Sequence, residues 1–263
     1  MARFTTLYSG SSGNSAFIEE NGRFLLVDMG KSCRATVSAL RALGVTPENL
    51  QGILVTHEHA DHVGGLQVFL KKYPVPVYGS AATLDVLRRR GILPPQETAI
   101  PLDGREEDVG GFMVQNFSTS HDSVDCCGYR VITPEGKAVA IATDLGFVSD
   151  EVMANLYCAD VVALESNYDL KMLMTGHYPY YLKMRISSER GHLCNDECAR
   201  TILRLMRSGC KKFSLCHISQ ENNTPELVLQ TLQHALLAQE FVPDAQTRVV
   251  AARRHEISPV LDF

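Results

Sequence analysis

Short apolar runs rich in β-branched residues alternate along the chain with stretches whose apolar positions recur every three or four residues. The first kind fits strands and the second amphipathic helices. RFLLVDMG (23–30) predicts a strand ending at Asp28, and CRATVSALRALG (33–44) predicts a helix stopped by glycine. QGILVTHEHADH predicts a strand that runs into a histidine-rich loop, and ATLDVLRRRG (82–91) a second helix closed by glycine. Strands are expected in GFMVQNFSTSHD, KAVAIATDLG and DVVALESN. NDECARTILRLMRSG (195–209) predicts a helix N-capped by Asn195 or Asp196. KKFSLCHIS then reads as a strand, TPELVLQTLQHALLAQE as a helix with Pro225 in its first turn, and RVVAARR as a last strand. No Pro/Gly/Ser-rich linker, repeat or low-complexity tract interrupts this alternation. The expectation is one α/β domain over residues 1–263.

Composition narrows the class. The chain has 263 residues, 45% hydrophobic and 21% charged, close to ordinary globular proportions. Its net charge of −5 gives no global attraction to polyanions, so a nucleic-acid partner would need a local basic patch. The opening MARFTTLYSGSSGNS lacks the pattern of a signal peptide, and no run approaches the ~18 apolar residues of a membrane span. Eight cysteines with no CxxC pair fit buried thiols in a reducing cytoplasm. No membrane and no obligate protein partner is expected.

The chemistry concentrates at strand ends. THEHADHVGG (56–65) places His57, His59, Asp61 and His62 within six positions, a third of the chain's nine histidines. His121 follows NFSTS, Asp144 follows AVAIAT, and His217 follows FSLC, each where a predicted strand runs out. Open α/β sheets build their sites at such exits. Imidazole and carboxylate ligands suit zinc, manganese or iron. In His-x-His-x-Asp-His, a turn sends the two halves toward different ions. His57, His59 and His121 would hold one, Asp61, His62 and His217 the other, with Asp144 bridging them at roughly 3.5–4 Å. A solvated histidine cluster or a single structural zinc is the plainer account of one such loop. Three further ligand-type residues at strand exits weigh against it, whereas for His234 and His255 the plain account stands.

These residues resemble the metallo-β-lactamase fold superfamily, whose HxHxDH loop matches residues 57–62, followed by Gly64-Gly65. The resemblance implies a four-layer αβ/βα sandwich, with two mixed sheets face to face, helices outside and a dinuclear site at one edge. Asp144 departs from the pattern of true β-lactamases, which lack a bridging aspartate there. His59 departs from oxygen-reducing relatives, which carry glutamate. Phosphodiesterases and thioester hydrolases of the glyoxalase II type remain.

Three stretches separate those two. In YSGSSGNSAFIE (8–19), Ser11, Ser12 and Asn14 form a tight turn able to cradle a phosphate, and the stretch resembles the N-terminal signature of the YycJ (WalJ)-like branch. SERGHLCN (188–195) carries a Gly-His-Leu found in that branch. By similarity to nucleases with a β-CASP insert, His192 is a phosphate-binding or leaving-group histidine. CHISQENNTPE (216–226) matches the same branch around His217, and the residues beyond it are too few for a glutathione-recognising helical domain. Between these, residues 168–192 hold Tyr168, Tyr178, Tyr180 and Tyr181 among Lys171, Lys183, Arg185 and Arg190. That mixture suits a nucleic-acid strand, or a tyrosine-rich cover over the sheet edge.

The resemblance therefore implies a cytoplasmic phosphodiesterase using two divalent metal ions, a 5′→3′ exonuclease acting on DNA in preference to RNA. A hydroxide bridging the ions would be the nucleophile, Asp61 would bind one ion and orient it, and His192 would assist the departing 3′-oxygen. Asp28 is expected as a partner for a ligand histidine. Two other readings stay open: a small-molecule ester or thioester hydrolase on the same metals, and a metal-free binding scaffold.

Overall fold

A computed structural model describes residues 1–94 and 98–263. In chain order its strands are β1 (Arg3–Tyr8), β2 (Ser15–Glu20), β3 (Arg23–Val27), β4 (Leu50–Leu54), β5 (Val77–Gly79), β6 (Ala99–Pro101) and β7 (Glu107–Val109). They continue with β8 (Phe112–Ser118), β9 (Cys127–Ile132), β10 (Ala138–Ala142), β11 (Val161–Glu165), β12 (Lys212–Cys216), β13 (Arg248–Ala251) and β14 (Leu261–Asp262). The helices are α1 (Cys33–Ala42), α2 (Ala60–Val63), α3 (Leu66–Lys72), α4 (Ala81–Arg89) and α5 (Asp150–Leu156), then α6 (Leu170–Thr175), α7 (Tyr180–Ile186), α8 (Asn195–Arg207) and α9 (Pro225–Ala238).

The strands form two seven-stranded sheets, β14-β1-β2-β3-β4-β5-β6 and β13-β12-β11-β10-β9-β8-β7. Both are mixed and built to one plan. In the first, β14 through β3 pair antiparallel and β3 through β6 parallel. In the second, β7 through β10 pair antiparallel and β10 through β13 parallel.

Strand periodicity explains the layering. In β10, Val139 and Ile141 enter an apolar cluster shared with Phe4, Ile18, Leu25 and Leu54 of the other sheet, while Ala138, Ala140 and Ala142 face helices α5 and α8. Val161 and Ala163 against Val162 and Leu164 repeat the division in β11. A strand covered on both faces reads as a continuous apolar run, which is why these segments stand out in the sequence. The outer face of the first sheet packs Phe17, Phe24 and Ile53 against Val37, Leu40, Phe69 and Leu84 of α1, α3 and α4. The result is a helix–sheet–sheet–helix sandwich. Tyr129 is fully buried between the sheets, and its hydroxyl donates to Val55 O at 2.5 Å, tying β9 to the start of the histidine loop.

One helix boundary differs from expectation. Cys194, not Asn195 or Asp196, occupies the N-cap of α8, with no side-chain cap bond. Asn195 is the first helical residue, and its amide oxygen accepts from Ser166 Oγ at 2.8 Å and Asn223 Nδ2 at 2.8 Å. A buried network under the site outbids the local cap.

Candidate active site

Five strand exits converge on one edge of the sandwich. The HxHxDH loop leaves β4, His121 follows β8, Asp144 follows β10, Glu165 ends β11 and His217 follows β12. Asp28, Asp144 and His217 hold left-handed backbone, with φ of 64°, 56° and 52°. Such conformations are costly for residues with a Cβ and persist where the surroundings over-determine them. Here each sharp turn swings a ligand-type side chain into the shared centre.

The imidazoles are oriented through Nδ1. His57 Nδ1 lies 3.0 Å from Thr56 Oγ1, His62 Nδ1 lies 2.7 Å from Asp28 Oδ2, and His121 Nδ1 lies 2.9 Å from Gly191 O. His217 Nδ1 donates to Glu165 Oε1 at 2.7 Å. Each ring therefore presents Nε2 to the interior, the arrangement by which an outer hydrogen bond fixes a ligand histidine's tautomer and tilt. Asp28 also accepts from Thr56 N and Thr56 Oγ1, both at 2.8 Å, so it holds the loop's entry as well as His62.

Ligand-type atoms gather in overlapping groups: His57, His59 and His121; Asp61, His62 and His217; and His57, His62 and Asp144. Asp144 Oδ2 is 3.3 Å from His62 Nε2, and Asp144 Oδ1 is 3.8 Å from His121 Nε2, so this one carboxylate reaches both halves. Two of these atoms, His57 Nε2 and Asp144 Oδ2, are buried without any hydrogen-bond partner. Orphaned buried polar atoms are rare, and ones that converge from histidine and aspartate fit a cation between them.

The electrostatics agree with that fit. Burial, together with His62, His121 and His59, pushes His57 well below the usual imidazole range. Burial also opposes charge on His62, but Asp144 and Asp28 outweigh it and raise the ring well above that range. Against the same burial, Asp144, Asp61 and Glu165 hold His217 up to about 10. Asp61, through His217 and His62, and Glu165, through His192 and His217, overcome their own burial and sit well below the ordinary carboxylate range. Without metal, the centre holds protons where its carboxylates favour cations.

Above it lies a cavity of about 250 Å³ lined by His59, Asp61, His121, Asp144, His192 and His217. Tyr178, Leu182, Arg185 and Ile186, from the tyrosine-rich segment, form the opposite wall. That segment therefore overhangs the site, with Tyr180 and Tyr181 on its outer side at 76% and 74% exposure. A larger cavity, about 890 Å³, opens beside Asp160 and Lys212, at the opposite ends of β11 and β12. It contains no imidazole, so size does not locate the chemistry.

The sequence profile of the beta-lactamase superfamily domain matches residues 23–218. The chain belongs to the beta-lactamase superfamily. It is 35% identical over 237 residues to exodeoxyribonuclease WalJ of Streptococcus pneumoniae, covering 89% of this chain and 88% of that protein. It is 34% identical over 239 residues to exodeoxyribonuclease YycJ of Bacillus anthracis, covering 90% of each. Among solved structures, the metallo-beta-lactamase fold protein YhfI of Bacillus subtilis superposes with a TM-score of 0.72 at 18% identity, over 97% of this chain and 98% of that one. The sandwich is thus the metallo-β-lactamase fold. The chain is an enzyme of a superfamily of metal-dependent hydrolases, in its WalJ/YycJ-like branch.

Two features of the site add to what the sequence predicts. Glu165 lies in the expected strand DVVALESN and is not among the expected site residues. Its Oε1 accepts from His217 Nδ1 at 2.7 Å and His192 Nδ1 at 2.9 Å, and its Oε2 accepts from Leu145 N and Leu193 N, both at 3.1 Å. An acidic residue closing an otherwise apolar β-strand was the available signal. The second feature is the SSGN turn. Ser11 lines the cavity, Ser12 is exposed and outside that lining, and Asn14 is turned inward. Asn14 Nδ2 lies 3.2 Å from Asp61 Oδ2 and 3.0 Å from His62 Nε2, and its backbone N donates to Asp61 O at 2.7 Å. Asn14 thus clamps the histidine loop through Asp61 and His62. The free amide of the turn takes an acceptor close to it, here the partly exposed carboxylate of Asp61.

Gly191 of the Gly-His pair is needed for a close approach: a Cβ there would lie 2.2 Å from Ile186 O. The backbone fits tightly beneath α7, which lets Gly191 O reach His121 while His192 turns toward Glu165.

Proposed function

We propose that the chain is a dinuclear-metal-dependent 5′→3′ exodeoxyribonuclease. The observation that carries this reading is the reach of Asp144 between the His57–His59–His121 and Asp61–His62–His217 groups, in a chain similar along its length to two proteins named exodeoxyribonucleases. In this reading His57, His59 and His121 would hold one divalent ion and Asp61, His62 and His217 the other, with Asp144 shared between the two groups. The donor set fits zinc or manganese, with iron also accommodated. When bound, such ions would supply Lewis acidity, offsetting the phosphate's charge and lowering the pKa of water in the site.

The chain's own residues do the rest. Asp61, fixed by Asn14, orients the attacking water from the cavity floor. Glu165 holds His192 through Nδ1, leaving Nε2 toward the cavity, where it gives a proton to the departing 3′-oxygen. Tyr178, Leu182 and Ile186 restrict access of bulk water to the scissile bond. Ser11, at the rim, contacts the phosphate. The strand itself lies along the α7 rim, where exposed Tyr180 and Tyr181 offer base-stacking faces. A cytoplasmic location follows from the substrate, and all eight cysteines are free thiols.

The test is hydrolysis of a 5′-phosphorylated, end-labelled duplex by protein loaded with manganese or zinc, beside Asp144→Ala. Stepwise loss of nucleotides from the 5′ end, absent in the variant, is expected. Intact duplex with full metal content would instead assign the cavity to a small ester.

A further inference from the structure

We infer that Arg254 binds a non-scissile phosphate of the substrate strand, next to the metal centre; the inference rests on the nuclease reading above. Arg254 follows β13, and its guanidinium is half-buried against the N-terminal serine turn. Nη2 donates to Ile218 O at 2.5 Å, and Nη1 donates to Ser11 Oγ at 3.4 Å. Ser11 lines the catalytic cavity, so the guanidinium sits one serine side chain from it. Arg254 also lines a second cavity, about 370 Å³, with Ser9, Ser219 and Thr224. Ser219 is common to the walls of both cavities, so the two adjoin across this one residue.

The charge state separates Arg254 from its neighbours. Arg185, on the opposite wall, is neutralised by Asp122 at 2.5 Å, and Arg253 pairs with Glu256 at 3.2 Å. Among the described residues no carboxylate ion-pairs with Arg254. Glu221 acts on it only at longer range and itself lies 3.9 Å from His177 Nε2. Glu226 also lines the second cavity, as its one carboxylate among the described residues.

The guanidinium also packs directly against the backbone of the serine turn. Gly10 has φ 137°, and a Cβ there would meet Arg254 Nη1 at 2.7 Å. A half-buried guanidinium without a counter-ion, held by one carbonyl and one hydroxyl, keeps donors free for an incoming anion. In a nuclease the anion at hand is the phosphate backbone, through charge-assisted hydrogen bonds. Two sources share this chemistry: the 5′-terminal phosphate and an internal phosphate beyond the cleaved bond.

The experiment uses a set of DNA duplexes, each with one phosphate removed or made neutral: a 5′-hydroxyl end, or a single methylphosphonate at successive positions. Steady-state kcat/KM is measured for the metal-loaded wild type, Arg254→Ala and Arg254→Lys. At one flanking position, neutralisation should cost the wild type about tenfold or more, chiefly in KM. The same change should cost Arg254→Ala less than about twofold, because the interaction is already gone, with Arg254→Lys in between. Sensitivity at the 5′-hydroxyl end identifies the terminal phosphate, and sensitivity at a methylphosphonate identifies an internal one. An equal loss by Arg254→Ala on every substrate would show a structural role and overturn the inference. So would a wild type indifferent to every flanking phosphate. A wild type that cuts no DNA removes the nuclease reading itself, a result distinct from either.

Discussion

His192 and His217 donate through Nδ1 to the same oxygen of Glu165, at 2.9 and 2.7 Å. One buried carboxylate therefore sets the tilt of both His217, a metal ligand in the proposed reading, and His192, which that reading places over the scissile bond. Its other oxygen is fixed by two backbone amides, so it cannot swing to serve one ring at the other's expense.

Glu165→Gln tests that coupling. The amide retains one acceptor oxygen but turns an NH₂ toward groups that need an acceptor. Metal affinity and kcat should each fall by about 10–100-fold, as for other outer partners of ligand histidines. Metal content by mass spectrometry and single-turnover rates on DNA check this. A change in only one of the two would separate the histidines' roles.

His192→Ala should leave metal content intact and lower kcat by about 10²–10⁴. A DNA linkage with sulfur in place of the departing 3′-oxygen needs no protonation to leave. On that substrate the variant should recover most of the lost rate. Failure to recover would assign His192 to phosphate binding instead.

Asp28→Ala addresses stability. Asp28 is buried and accepts from Thr56 N, Thr56 Oγ1 and His62 Nδ1. Truncation leaves the Thr56 N–H without its acceptor, at a cost of about 1–3 kcal/mol. The urea midpoint should fall even in chelated protein, and metal affinity should fall with it. A variant that loses metal but unfolds with wild-type stability would contradict this.

The clustering of candidate ligands was legible in the sequence because these side chains are chemically conspicuous and sit where apolar strands stop. Residues 57–62, His121, Asp144 and His217 could be picked out before any pairing was known, since a strand exit can be read from periodicity. The residues that orient them were harder to see. Glu165 closes a strand with one acidic residue, and Asn14 belongs to a turn whose composition fits solvent as well as it fits a buried clamp. Their roles depend on β11 lying beside β12 and on the β1–β2 turn reaching α2, relations of sheet order and tertiary approach that no local pattern encodes. The cap of α8 was misread for the same reason: Asn195 is a good cap locally but is drawn into bonds with Ser166 and Asn223. The short strands β5, β6, β7 and β14, of two or three residues, carry too little pattern to detect.

The last prediction concerns pH in the metal-free protein. His217 is held up to about 10, and His62 is raised as well, so both are protonated near neutrality. A ring raised in the folded state contributes stability that is fully present below the unfolded value near 6.5 and is lost as pH climbs toward the folded one. His57 and His121 are lowered, so their penalty falls at acid pH and is gone above about 6.5. Asp61 and Glu165 are ionised throughout this range. Cys126 and Cys216, raised from 9.0, begin to destabilise only as unfolded thiols ionise above that value. Between pH 6.5 and 9, then, the midpoint of chelated protein should fall as pH rises, and His217→Asn should flatten the slope. Metal-loaded protein should show little of this trend, because a cation replaces the protons. Adding manganese at pH 7.5 in weak buffer should therefore release protons. An indicator dye reads the release directly, and uptake without release would show that the histidines are already neutral in the empty site.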